Sequence, residues 1–178
     1  RLEVSGTPRS GDTEFEYRVL VANGRGSDPD FIANVGDLNN GKAASFLLSV
    51  KPAGSGLRLG ASGYFDSIPV SSVSTREKIF GAFLSYDRTG FDLLAEVSRI
   101  DHETEGTSAE VLAAYVQAST RVRDSRFYYR FDILNFDGVS PFFGPRADTR
   151  AHTLGVRWDV ADFAALKVEY GSEKVTGQ

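Results

Sequence analysis

The 178 residues hold 20 lysines and arginines against 24 aspartates and glutamates, a net charge of -4 that argues against a nucleic-acid partner. Cysteine is absent, which excludes disulfides, thiolate chemistry and cysteine-type zinc sites. Hydrophobic residues make up 41%, and no run approaches the roughly 20 apolar residues of a spanning helix; a transmembrane β-barrel escapes that test, because half of every strand is polar.

A short strand at 2–5 leads into a Gly/Pro/Ser turn at 6–12. From 14 to 22, Phe15, Tyr17, Val19 and Val21 alternate with Glu14, Glu16 and Arg18. A polar loop at 23–40 follows; its Asp28, Asp30, Asp37, Asn39 and Asn40 are oxygen donors, but Gly41 lacks the offset of a helical-hand calcium loop. The next strand, 43–51, sets Ala44, Phe46, Leu48 and Val50 on one side and Lys51 on the other. After a tight turn at 52–56, Leu57, Leu59, Ala61 and Phe65 oppose Arg58, Ser62 and Tyr64. Residues 67–77 read as a longer loop. Strand 78–87 carries Phe80, Ala82, Leu84 and Tyr86, with a less polar opposite face of Ile79, Gly81, Phe83 and Ser85.

Past a turn at 88–90, Phe91, Leu93, Ala95 and Val97 oppose Asp92, Glu96 and Ser98, and a charged loop is expected at 101–107. The strongest pattern is a hairpin over 111–136, joined only by Arg123 and Asp124. Its first arm alternates Leu112, Ala114, Val116, Ala118 and Val122 with Tyr115, Gln117 and Ser119. Its second alternates Phe127, Tyr129, Phe131 and Ile133 with Arg126, Tyr128, Arg130 and Asp132. A loop at 137–148 precedes Leu154, Val156, Trp158 and Val160, opposed by Thr153, Arg157 and Asp159. A turn at 161–163 leads to Leu166, Val168 and Tyr170 against Lys167 and Glu169.

Side chains on a strand point alternately to opposite faces, so each strand has one greasy and one charged side. The fold class is all-β: about ten strands of an antiparallel up-and-down transmembrane β-barrel, or part of a larger one, with 1–178 as a single domain. Short connections after 50, 86, 122 and 160 alternate with long ones after 22, 65, 99 and 135, as tight periplasmic turns alternate with extracellular loops. Phe15, Tyr17, Tyr86, Phe91, Phe127, Tyr129, Trp158 and Phe163 lie toward the short-turn ends, the place of an interfacial aromatic girdle.

By parity the water-facing set includes Arg18, Lys51, Arg58, Glu96, Arg126, Arg130, Asp132, Arg157, Lys167 and Glu169. Opposite signs are mixed there, which suits a weakly selective lining rather than a single-sign filter. The two histidines, His102 inward and His152 outward, form no motif with the serines; no enzyme activity, cofactor or metal is expected.

The stretches YRVLVANGRG, DLNNGKAASFLLSVKP and LRLGASGYF, with the later AAYVQAS, FYYRFDILNFD, HTLGVRWDV and ALKVEYG, resemble bacterial outer-membrane porins of the phosphate-selective porin group. That resemblance implies a passive diffusion channel for small hydrophilic solutes or ions. It implies a bacterial outer-membrane location, with the lipid bilayer and lipopolysaccharide as surroundings, a wider barrel, and a homotrimer. The terminal aromatic residue usual in such barrels is missing, which fits a piece of a longer barrel; no dense arginine and lysine ladder is visible, so phosphate selectivity is not carried over. Two further readings use the same strands. One is a closed barrel whose filled lumen supports a scaffold or adhesion role. The other is a soluble β-barrel with the greasy face around an apolar ligand.

Overall fold

The structure, a computed structural model, describes residues 1–26, 41–70, 73–138 and 146–176. The strands are β1 (Leu2–Gly6), β2 (Arg9–Ser10), β3 (Thr13–Asn23), β4 (Lys42–Lys51), β5 (Leu57–Val70) and β6 (Val73–Arg88). They continue with β7 (Phe91–Thr104), β8 (Thr107–Val122), β9 (Ser125–Asp137), β10 (Asp148–Ala161) and β11 (Ala164–Thr176). All belong to one antiparallel sheet in the order β1-β3-β4-β5-β6-β7-β8-β9-β10-β11, with β2 a two-residue spur on β3. The fold is therefore all-β and up-and-down, as the alternation predicts, and the described residues contain no helix.

Of the two forms expected, the sheet is not the complete barrel: β1 and β11 are its free edges, so these strands make a continuous open wall. One expectation needs correction. The expected loops at 67–77 and 101–107 are largely strand. β5 and β6 pair from Leu57↔Tyr86 out to Val70↔Val73, and β7 and β8 out to Thr104↔Thr107. The greasy/polar alternation stops near Phe65 and Arg99, which is why the sequence reads as loop there. Backbone pairing needs no such alternation. It is supported beyond those points by polar cross-strand contacts, Arg76 to Glu103 at 3.1 Å and Thr75 to Thr104 at 2.7 Å. A tight Glu105-Gly106 turn, with Gly106 at φ 82, ends the second extension. The short/long rhythm thus survives as long connections after β3 and β9 only; elsewhere at that end the strands themselves protrude.

Register decides which residues share a face. Phe15 lies opposite Val50, which lies opposite Leu59, which lies opposite Leu84, which lies opposite Ala95. The row runs on through Val116, Phe131 and His152. A parallel row takes Ala118, Tyr129, Leu154 and Tyr170 across β8 to β11. Each greasy set falls on the same side of the sheet. No second layer of described residues covers it: Leu48 is 53% exposed, Leu154 58% and Val168 56%. The buried hydrophobic residues are instead Ala43, Ile68, Ala109 and Val111, all on the opposite face and toward the long-loop end.

Candidate functional site: a two-faced wall

All ten residues expected to face water lie on the face opposite the greasy rows, and they fall into three groups. Near the start of the sheet, Arg58 reaches across β4 to Glu14 at 3.3 Å and Glu16 at 3.4 Å. Ser49, between them, donates to Glu16. Lys51 stands beside Glu14 in register, and Arg18 lies 3.6 Å from Glu3 on the edge strand. In the middle, Arg130 lies over the Tyr115 ring at 4.1 Å and pairs with Asp132 at 2.6 Å, while Glu96 stands opposite Tyr115.

The third group spans β7 to β11. Arg126 reaches Asp92 at 3.4 Å, Arg157 pairs with Asp159 at 2.8 Å, and Lys167 with Glu169 at 2.9 Å. Tyr128 donates its hydroxyl to Glu169 across the intervening β10. That crossing is possible because β10 carries Gly155 there; a Cβ would lie 2.0 Å from Tyr128 Cζ. The mixed signs are thus ion pairs distributed over a wall, some across strands and others two residues apart on one strand, and where exposed they add little to stability.

Register also exposes a feature that linear sequence hides. Arg121 lies opposite Arg126, Arg126 opposite Arg157, and Arg157 opposite Lys167. Four cations therefore form one row near the short turns. The residues come from four strands, so no local motif announces them.

At the other end lies a buried cluster that the sequence reading missed. Directly after β3, the Arg25 backbone N–H donates to Asp66 at 2.8 Å, and the Tyr64 hydroxyl donates to the same carboxylate at 2.8 Å. The Arg25 guanidinium lies 2.9 Å from Glu77, whose carboxylate also meets His102 Nε2 at 2.6 Å. Glu77 and His102 are 1% and 2% exposed. Arg25, directly after β3, is thus fastened on the polar face to β5 and β6, and through Glu77 to His102 on β7. His102 sits inside β7 rather than at a loop margin, and only its inward parity was legible. The oxygen donors at 28–40 lie outside the described residues.

On the apolar face, Phe15, Tyr86, Phe91, Phe127 and Trp158 form the rows nearest the short turns. Tyr17 and Tyr129 sit one row deeper, and Phe163 lies in the β10–β11 turn, 93% exposed. Tyr86 and Phe91 pack with centroids 6.4 Å apart. At the opposite margin His152 accepts or donates at Nδ1 with the Tyr129 hydroxyl, 2.7 Å away, and packs on Phe131. The two histidines lie on opposite faces and share no site. Compared with protein-family models, curated proteins and solved structures, the chain matches none of them.

Proposed function

We propose that the protein forms the wall of a bacterial outer-membrane β-barrel that lets small hydrophilic solutes or ions diffuse passively. The observation that carries this reading is the uncovered apolar face, continuous in register across ten strands. An exposed apolar surface of that extent is a liability in water and a requirement in lipid. From β3 to β11 the strands are 10 to 16 residues long, which meets the 9–11 residues a tilted membrane strand needs. Orientation follows from charge: an arginine or lysine facing lipid at the midplane costs about 2–4 kcal/mol. Arg58, Arg126, Arg130, Arg157 and Lys167 therefore belong on the water side. Paired charges of both signs there favour weak ionic selectivity.

The partners of this reading are the bilayer and its lipopolysaccharide outside, small hydrophilic solutes within, and a homotrimer as the assembly. The experiment is reconstitution of detergent-folded protein into planar bilayers, where stepwise conductance is expected. Folded, inserted protein that stays silent contradicts the pore. A second reading, a barrel with an occupied lumen, draws on the Arg25–Glu77–His102 cluster, which places an ion-paired arginine from just after β3 on the polar face. Under that reading the inserted protein is silent and Arg25→Ala combined with Asp66→Ala opens it.

A further inference from the structure

The row of cations ends at a site that a water-lined wall does not need. Where the β6–β7 and β8–β9 turns come together, Arg88, Arg121, Arg123 and Arg126 line a cavity of about 400 Å³ with Asp87 and Asp92. Four guanidinium groups against two carboxylates leave an excess positive charge of two in a chain whose total is -4. Asp92 is already engaged by Arg126 and by the Ser119 hydroxyl. Arg121 and Arg123 have no ion-pair partner among the described residues. Arg88 donates to the Gly54 carbonyl at 3.0 Å, which uses only part of its fork of N–H donors.

Two features here carry a cost: a repulsion that an anion would offset, and a local backbone strain. Arg121 and Arg126 are directly opposed, a placement that repels. Arg123 has φ 55, the only positive-φ residue other than glycine among those described. A two-residue hairpin turn requires such a dihedral, and a side chain with a Cβ pays for it. Asn or Gly is the ordinary occupant of such a turn, so the chain tolerates strain and repulsion to keep a cation at the rim.

The neighbouring surface identifies the kind of anion. Arg88 closes the apolar face and stands opposite Phe91. Phe91 lines an apolar groove of about 550 Å³ with Thr120, Phe127, Tyr129 and Leu154. At the rim the groove on one face meets the arginines at the turns and behind them. We propose that this is a seat for one anionic phospholipid: its phosphate at Arg88 and Arg123, with Arg121 and Arg126 adding positive potential, and an acyl chain along the groove. Charge complementarity selects an anionic over a zwitterionic headgroup. The inference rests on the membrane reading and adds a specific lipid to it.

The single tryptophan provides the test. Trp158 stands on the apolar face opposite Ser125, close to the Arg123 turn. The protein is folded into phosphatidylcholine vesicles carrying a minor fraction of either brominated phosphatidylglycerol or brominated phosphatidylcholine, and quenching of Trp158 is measured. Roughly fivefold stronger apparent binding of the anionic lipid is expected. Arg88→Gln with Arg123→Gly, the latter suited to the backbone of that turn, is expected to bring the two lipids level. Equal quenching by both lipids in the unaltered protein overturns the seat while leaving insertion intact. Preference that survives the double substitution overturns its location. Preference removed by inorganic phosphate, but not by chloride at equal ionic strength, assigns the site to a free anion and overturns the lipid. Absence of quenching by either lipid defeats the membrane reading itself.

Discussion

At the scale of single residues, the wall depends on contacts that a Cβ or a neutralised charge would break. Gly155 leaves the space in which Tyr128 crosses β10 to reach Glu169. Gly155→Val is expected to displace that ring, lose the hydroxyl bond and destabilise the sheet by about 1–3 kcal/mol. Urea unfolding of the reconstituted protein measures it, and unchanged stability would show that the ring does not occupy that space. Glu77 holds both Arg25 and His102 where little water reaches. Removing one partner of a buried pair strands the other charge, so Glu77→Ala is expected to cost about 3–5 kcal/mol. Because Asp66 holds the Arg25 backbone and Glu77 its side chain, Asp66→Ala combined with Arg25→Ala is expected to free the chain after β3 while leaving the strands folded. Protease cleavage following β3 reads that release; unchanged resistance contradicts the clamp.

At the scale of elements, the sequence reveals faces better than lengths. The hairpin expected at 111–136 is β8 and β9, turning at Arg123 and Asp124, because strict period-two alternation and a minimal turn leave one register. The outer halves of β5 to β8 were illegible for the complementary reason. Around 66–77 and 101–110 polar residues occupy both parities of the sequence, so the strict alternation vanishes although the backbone ladder continues on both sides of each turn. Register across strands was equally hidden, since Arg121, Arg126, Arg157 and Lys167 become a row only after four strands are aligned. Arg25 offered no pattern at all.

Face assignment makes a sharp comparison possible on one strand. Val116 and Gln117 are neighbours in β8 but point to opposite sides. In lipid vesicles, Val116→Arg is expected to cost about 2–4 kcal/mol. Gln117→Arg, on the water side but opposite Arg130, is expected to cost less, about 0.2–1 kcal/mol. Folding free energies from urea titration decide it, and equal costs at the two positions would remove the distinction between the faces.

At the scale of the whole molecule, the free edges carry the next consequence. β1 and β11 present unpaired backbone groups along one side each. In hydrocarbon each unsatisfied group costs several kcal/mol, so an inserted wall must have both edges paired. Hydrogen exchange in vesicles is therefore expected to show slow exchange at the β11 amides that do not bond to β10. Rapid exchange there would mean that the edge remains open to water.

Every step from wall to pore begins with the direction in which alternate side chains look. The chain contains no cysteine, so single cysteines can be placed one at a time along 127–133 of β9 without a background signal. Each is labelled with a polarity-sensitive fluorophore after folding into vesicles. The account predicts emission that alternates with period two, apolar at 127, 129, 131 and 133 and aqueous at 128, 130 and 132. Uniformly aqueous emission, or alternation of the opposite phase, would contradict it.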